Sequence, residues 1–177
     1  MSEDRGFPWV FPYIEERRSR EHPFSDRPLW RPAVRIRFVG PAGSEGVLAL
    51  VDSGSDHVLA GPWVAQATGV DLSAADEYQL LIGGSARTVR FAPVQLLLPP
   101  PDGDLSRAVE WECDVGFFDR WEPPWAAVLG QVGFFDHFTV MMSRMTMAVA
   151  LEAADEMDKR LGVPPVDPPE PPPRFTP

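Results

Sequence analysis

The chain has 177 residues, 44% of them hydrophobic, and a formal net charge of −10. This length and composition predict one globular domain with a substantial core and exclude an intrinsically disordered chain. The first 37 residues carry eight arginines against six acids, whereas the remainder carries eight basic and twenty acidic side chains. This balance disfavours nucleic acid as a partner, because phosphate binding needs a concentrated basic face.

Several other classes of protein are disfavoured by what the sequence lacks. The single cysteine, Cys113, excludes an internal disulfide framework and fits a reducing compartment. No apolar run approaches the roughly 18 residues of a membrane span, and the first residues lack a signal-peptide core. We therefore expect a cytoplasmic protein with no membrane partner. The histidines are scattered and no phosphate-binding glycine fingerprint occurs, so we expect neither a metal nor another cofactor.

The N-terminal part of the chain predicts an extended arm followed by a β-hairpin. Residues 1–31 are rich in arginine, proline and aromatic residues, and prolines disfavour both a helix and a central strand. We expect the aromatic side chains of this arm to pack on the body of the protein or on a partner. Alternating apolar residues predict a strand at 33–39, small residues predict a turn at 40–44, and an apolar run predicts a buried strand at 46–51. This hairpin would deliver Asp52 at its end.

The central and C-terminal parts predict further strands and short helices. Residues 62–68 begin with a proline that suits the first turn of a helix, and Gly69 follows as a stop signal. Alternation over 77–82, a break at two glycines and extended residues at 87–91 predict a second hairpin. Five more strands are predicted at 94–98, 109–115, 126–129, 139–142 and 145–151, with one short helix between 129 and 139 and another at 153–161.

The segment after the first hairpin places a carboxylate in a turn of small residues. Asp52 directly follows a buried strand, where burial and hydrogen bonding can tune an acid for chemistry. The hydroxyls of Ser53 and Ser55 can form hydrogen bonds, and Gly54 permits close approach of the backbone. The same residue types also form ordinary turns, so this segment alone does not define a site.

Two downstream elements make the pattern more specific. In chain order, the three elements are Asp52-Ser53-Gly54-Ser55-Asp56, then Val128-Leu129-Gly130, then Phe134-Phe135-Asp136-His137-Phe138. In this order they resemble those of retropepsin-like aspartic proteases, in particular the small bacterial single-lobe members, over roughly residues 32–151. The resemblance implies an all-β fold, with a closed retropepsin-like barrel of a single lobe and one or two short helices.

The resemblance also sets the expected organisation of the chain. Residues 32–151 would form the protease domain, preceded by the arm at 1–31 and followed by a short helix at 152–162. The segment 163–177 has eight prolines and is expected to be an extended or disordered tail. A ligand for a proline-recognition domain is the alternative interpretation of this tail.

The activity implied by the resemblance is that of an aspartic-type endopeptidase. Such enzymes use two carboxylates that share one proton, so that one activates water while the other protonates the substrate. Because the motif occurs once and no internal repeat is visible, the second carboxylate must come from Asp52 of a second copy. We therefore expect an active homodimer and an inactive monomer, with contact supplied by the strands at 33–39 and 145–151.

The family pattern assigns roles to the residues around Asp52. Ser53 would hydrogen-bond across to the partner loop, Gly54 would lie beside the substrate backbone, and Asp56 would bind the substrate main chain. We expect the hydroxyl of Ser55 to donate towards the carboxylate, which would give the native enzyme a more acidic optimum than a Ser55→Ala variant.

Two more elements receive roles from the same pattern. The hairpin at 78–91 would be a flap over the substrate, or else an ordinary surface hairpin. Its mobile tip would hold the substrate-binding residues Gly83 and Gly84. The element behind the catalytic loop would be structural and consists of Val128, Leu129 and Gly130.

Other residues have plainer interpretations. His57 reads as an exposed loop histidine, and Asp136 as a capping or ion-pairing residue. We expect burial in a core or an interface, rather than a place in specificity pockets, for Trp111, Trp121 and Trp125. For the whole chain, the main alternative is a catalytically weak retropepsin-like module for peptide binding or dimerisation. The third interpretation is a β-barrel scaffold in which the Asp-Ser-Gly turn occurs by chance.

Overall fold

A computed structural model of the protein describes residues 8–16, 28–82, 84–121 and 123–162. Gly83 and the predicted tail at 163–177 lie outside the described residues. The helices are α1 Pro62–Thr68 and α2 Ala154–Leu161, and a short 3₁₀ turn covers Leu105–Arg107. The strands are β1 Trp9–Pro12, β2 Ile14–Glu16, β3 Leu29–Arg31, β4 Ala33–Gly40, β5 Gly43–Val51, β6 Leu59–Ala60, β7 Glu77–Ile82, β8 Ser85–Leu98, β9 Val109–Phe118, β10 Ala127–Leu129, β11 Phe138–Ser143 and β12 Ala148–Ala153.

Six strands close into a barrel in the order β4, β5, β10, β6, β9, β8. The barrel is closed by an antiparallel pairing in which Arg37–Val39 of β4 meets Gln95–Leu97 of β8. The pairings of β5 with β10 and of β6 with β9 are parallel, and the others are antiparallel. Strand β7 pairs with the first part of β8 and extends beyond the barrel. The predicted all-β fold with a closed barrel and two short helices is confirmed.

The core lies inside this barrel because every second residue of a strand faces inward. Strand β4 shows the alternation, since Val34, Ile36 and Phe38 are buried while Arg35 is exposed. Fully burying one large apolar side chain contributes about 1.5–3 kcal/mol. Among the largest fully buried side chains are Ile36, Phe38, Leu96, Leu98, Phe117 and Leu129.

The described residues 8–16 of the N-terminal arm are part of the folded body. Strand β1 pairs antiparallel with β12, which also pairs with β11, so β12 is the central strand of a second, three-stranded sheet. The side chains of Trp9, Phe11 and Tyr13 are buried and belong to the main core cluster. Pro12 ends an edge strand, where its missing N–H breaks no ladder. Strands β2 and β3 form a separate two-stranded hairpin.

The local predictions for the first hairpin and the first helix agree with the structure. Strands β4 and β5 are paired as far as Gly40 and Gly43. Helix α1 begins at Pro62, and Gly69 ends it in the left-handed conformation with a φ of 72°. A left-handed residue after the last turn is a common helix end, and glycine adopts it without steric cost.

Strand β8 differs from the prediction, because one strand of 14 residues replaces two separate strands. The strands predicted at 87–91 and 94–98 lie on either side of Pro93, which lacks the N–H that a ladder needs. In the structure β8 pairs with β7 up to Arg90 and with β4 from Gln95, so the residues between them pair only with β9. Pro93 lies in this gap, where a missing donor on the open edge is tolerated.

The short helix predicted between residues 129 and 139 is not formed. Residues 133–137 form turns, with Gly133 in the left-handed region at a φ of 93°. The carboxylate of Asp136 accepts the backbone N–H of Gly133 at 2.8 Å, which caps the turn as expected for this residue. Phe134 and Phe138 are nevertheless fully buried, so the aromatic spacing served packing rather than a helix.

Within the described ranges, no helix is both long enough and apolar enough to traverse a lipid bilayer.

Candidate active site

Asp52 is fixed at the end of β5 by backbone hydrogen bonds on both sides. The N–H of Val51 donates to the carbonyl of Pro32 at 2.8 Å, which continues the pairing of β4 with β5. The N–H of Asp52 donates to the carbonyl of Leu129 at 3.1 Å, which continues the parallel pairing with β10. The position of the acid is therefore set by three strands of the barrel rather than by a free loop.

The side chain of Asp52 is half-buried and forms a tight turn with the residues that follow. The N–H of Gly54 donates to Oδ1 of Asp52 at 2.9 Å, and the N–H of Ser55 donates to the Asp52 carbonyl at 3.2 Å. A Cβ atom on Gly54 would lie 3.2 Å from the same Oδ1, which is a tight contact. Glycine at this position lets the amide approach the carboxylate.

The hydroxyl of Ser55 does not point where the sequence predicted. It donates to the carbonyl of His57 at 2.8 Å instead of to the Asp52 carboxylate. A hydroxyl has one proton to donate, so this bond removes the basis for the predicted difference in pH optimum between the native protein and Ser55→Ala. Ser55 instead holds the shape of the loop at 52–57.

Strand β10 and the residues after it hold this loop from behind. Val128 pairs with Leu50, and Leu129 pairs with Val51. At Gly130 the two backbones touch, since a Cβ there would lie 2.3 Å from the carbonyl oxygen of His57. Side chains are therefore excluded at this position.

The segment after Gly130 forms three hydrogen bonds to the loop. The N–H groups of Gln131 and Val132 donate to the carbonyls of Ser55 and Asp56, each at 2.8 Å. The side-chain Nε2 of Gln131 donates to the carbonyl of Ser53, also at 2.8 Å. Sequence reasoning missed Gln131, whose only signal was a long polar side chain directly after the Val-Leu-Gly element. The side chain of Ser53 is exposed, and its expected partner belongs to a second copy.

A cleft of about 810 Å³ opens over Asp52. The loop at 52–57 contributes Asp52, Gly54, Ser55, Asp56 and His57, and the segment at 121–128 contributes a largely apolar wall. Strand β7 of the second hairpin contributes Gln79, Leu80 and Leu81. The hairpin thus lines the same cleft as the acid, and Gly84 lies at its turn with a φ of 81° and open space around it.

Of the three tryptophans discussed in the sequence analysis, one lies in the core and two line the cleft. Trp111 is buried against Phe134 and Phe138, and its Nε1 donates to the carbonyl of Gly133 at 2.7 Å. Trp121 and Trp125 line the cleft and are joined by a hydrogen bond from the indole of the first to the carbonyl of the second. Aromatic side chains with one polar group suit a wall that binds peptide.

The N-terminal arm contributes a charged pair to the same cleft. Nε of Arg31 donates to Oε2 of Glu16 at 2.8 Å, and both residues line the cleft. Sequence reasoning missed this pair because the two residues lie fifteen positions apart, on strands that only the fold brings together. Asp56 is exposed in the cleft and forms no ion pair within the described part of the chain. No three His, Cys, Asp or Glu side chains are grouped for a metal ion in that part of the chain.

Comparison with known proteins finds a likeness among solved structures. No protein-family model matches the chain, and no curated protein sequence matches it. Among solved structures, the chain is similar to a retropepsin-like aspartic protease from Rickettsia conorii, with 16% sequence identity and a TM-score of 0.43. The match covers 82% of this chain and 93% of that chain. A likeness at this level does not extend to activity.

Proposed function

We propose that this protein is an aspartic-type endopeptidase whose catalytic pair consists of Asp52 from each of two copies. The observation that carries the proposal is the position of Asp52, half-buried on a rigid loop at a cleft of about 810 Å³. This volume lies within the roughly 300–1,000 Å³ of typical ligand sites. The cleft combines apolar wall residues with polar and charged side chains from the loop at 52–57 and from the arm, a mixture that suits an extended peptide.

The proposed chemistry follows from bringing two like charges together. Two carboxylates in close contact do not both ionise easily, so the pair holds one proton. The ionised carboxylate takes a proton from a water molecule, whose oxygen attacks the peptide carbonyl carbon. The protonated carboxylate donates its proton to the carbonyl oxygen, which gives a tetrahedral gem-diol. The other carboxylate then passes the proton it took from water to the nitrogen, and the C–N bond breaks. The gem-diol returns one proton to the pair as it becomes the product carboxylic acid. The Gly54 N–H, bonded to Oδ1, would hold each carboxylate in position.

The dimer contact expected at 145–151 needs correction. Strand β12 is already paired along both edges, with β1 on one side and β11 on the other. Strands β1 and β11 are the two edges of this sheet among the described residues. Unlike β1, which contains Pro12, strand β11 contains neither a charged residue nor a proline. Met141 and Met142 on it are 45% and 43% exposed. An unprotected edge strand favours pairing with another strand, so we propose β11 as the contact between copies.

Hydrolysis of a peptide library from mildly acidic to neutral pH tests the proposal, with Asp52→Asn as the inactive variant. Asparagine keeps the oxygen that accepts from Gly54, so this variant should fold normally while losing the acid. Loss of acid–base catalysis is expected to reduce kcat/KM by about 10²- to 10⁴-fold. Asp114→Asn is the matched control, because Asp114 is exposed on β9 and does not line the cleft. Equal cleavage by both variants would overturn the proposal, and peptide binding without turnover in the native protein would support the binding module.

A mixing experiment tests the shared site itself. When native protein and Asp52→Asn are co-expressed in equal amounts, random pairing leaves about one quarter of the dimers with two native subunits. Activity per total protein should then be about one quarter of that of the native protein. A value near one half, or full activity in a protein that sediments as a monomer, would show that one copy is sufficient.

A further inference from the structure

His57 occupies a different environment from the exposed loop position that its sequence context predicts. Its imidazole is half-buried and lines the cleft that contains Asp52. Its backbone is fixed, since His57 forms a parallel bridge with Val132 and its carbonyl accepts the hydroxyl of Ser55. The side chain therefore projects into the cleft from a rigid position.

The orientation of the imidazole is set by the second hairpin. The ring of His57 packs edge-on against Phe91 of β8, with the ring centroids 5.0 Å apart and an interplanar angle of 69°. Phe91 in turn packs edge-on against Tyr78 of β7, with centroids 5.8 Å apart. Neither ring nitrogen has a hydrogen-bond or ion-pair partner among the residues that the structure describes.

Part of the cleft wall is apolar. Leu59, Leu80 and Val128 line the same cleft, and they pack with Phe91 in one apolar cluster. Two other N–H donors that line the cleft have partners, since the amide of Gln79 donates to Thr88 at 2.9 Å and the indole of Trp121 donates to a carbonyl. Sites that bind peptides obtain specificity from a few polar groups placed in such apolar walls.

The carboxylates in the cleft supply acceptors, and His57 supplies a donor. Asp52 and Asp56 contribute oxygen atoms, which bind donors of a substrate, and the guanidinium of Arg31 is bonded to Glu16. Imidazole always carries at least one N–H, and two when protonated. An acceptor on the substrate would satisfy this N–H when the bound peptide excludes water.

We propose that His57 is a specificity-determining residue that donates a hydrogen bond to a side-chain oxygen of the substrate. This inference rests on the proposed peptidase function and assigns the substrate class: peptides with a carboxamide or carboxylate side chain at one position near the scissile bond. An apolar side chain at that position leaves the imidazole N–H buried without a partner, which weakens binding in the transition state. The expected discrimination is about tenfold, the value of one net hydrogen bond.

Matched peptides test this assignment. A cleaved peptide is remade with glutamine, glutamate or leucine at each position flanking the scissile bond, and kcat/KM is measured for each. The native protein should prefer glutamine or glutamate over leucine about tenfold at one position. His57→Leu should abolish that preference, whereas His57→Gln, which keeps an N–H donor, should retain it. The glutamate and glutamine arms distinguish a carboxylate from a carboxamide.

The control variant is Gln79→Leu, which removes another polar group of the cleft without removing the donor of His57. It should leave the preference intact, and circular dichroism should confirm that every variant is folded. Should His57→Leu keep the native ratio of glutamine to leucine peptides, His57 does not determine specificity. If no variant cleaves any peptide, the peptidase proposal fails, and the same preference is then measured as a ratio of Kd values by calorimetry. Equal ratios for the native protein and His57→Leu there would overturn the inference.

Discussion

Gly130→Ala adds a single methyl group, and the structure predicts that this small change strongly destabilises the protein. One added methyl group would lie 2.3 Å from the carbonyl oxygen of His57 and 2.6 Å from that of Ser55. Normal carbon–oxygen contacts are about 3.3 Å, so the backbone of the loop would have to move by about 1 Å. Both neighbours are main-chain atoms and cannot rotate away as the end of a flexible side chain can.

The cost has two parts. Overpacking of a rigid site costs about 1–3 kcal/mol. The displacement also weakens the bonds from Gln131 and Val132 to the loop, each worth about 0.5–1.5 kcal/mol net. We therefore expect Gly130→Ala to lower the free energy of unfolding by about 2–6 kcal/mol. For a protein of this size that corresponds to a decrease in Tm of about 4 °C or more.

Urea denaturation of the purified variant, followed by tryptophan fluorescence, measures this change. Gly46→Ala is the matched control, because its Cβ would meet only Arg37 at 3.9 Å and its backbone is that of an ordinary strand. This control should be neutral or more stable by up to about 1 kcal/mol. A free energy of unfolding for Gly130→Ala within about 0.5 kcal/mol of the native value would refute the packing argument, since surface substitutions reach that range.

Two further predictions concern residues behind the site. Trp111→Phe removes the indole bond to the buried carbonyl of Gly133 and should cost about 1–3 kcal/mol in urea denaturation. A change no larger than that of Trp63→Phe, on the exposed face of α1, would contradict this. Burial, with a smaller contribution from the charge of Asp114, raises the pKa of the Cys113 thiol from 9.0 to about 12. Because the thiolate is the reactive form, thiol labelling at pH 8 should be about a thousandfold slower in native than in urea-unfolded protein, and equal rates would refute it. The thiol ionises at a lower pH in the unfolded protein than in the folded protein. Its contribution to the free energy of unfolding should therefore fall as the pH rises from about 9 towards 12.

The hairpin that delivers Asp52 could be predicted because its determinants are local. The period-two pattern of β4 and the small residues from Gly40 to Gly43 specify strand and turn without reference to the rest of the chain. The same holds for α1, with a proline at its first turn and Gly69 at its end. Closure of the barrel by β8 is a long-range feature. It could be predicted from the family resemblance but not from the local sequence pattern.

Other features depend on neighbours that are distant in the sequence. Pro93 indicates a strand break, and only the gap between β7 and β4 makes it acceptable within one strand. Gln131 contacts Ser53 across 78 positions, and no local signal specifies that bond. His57 lies in the cleft because Phe91 packs against its ring, which depends on how the second hairpin meets the barrel.

The pairing of β1 with β12 has a practical consequence for recombinant versions of this protein. A chain trimmed to start at residue 32 would lack Trp9, Phe11 and Tyr13, whose rings fill part of the shared hydrophobic interior. Removing a single large aromatic ring from such a position typically costs about 3–5 kcal/mol. Trimming would also leave β12 with an unpaired side, and therefore invite aggregation. Affinity tags are better added ahead of the first residue than substituted for the opening segment.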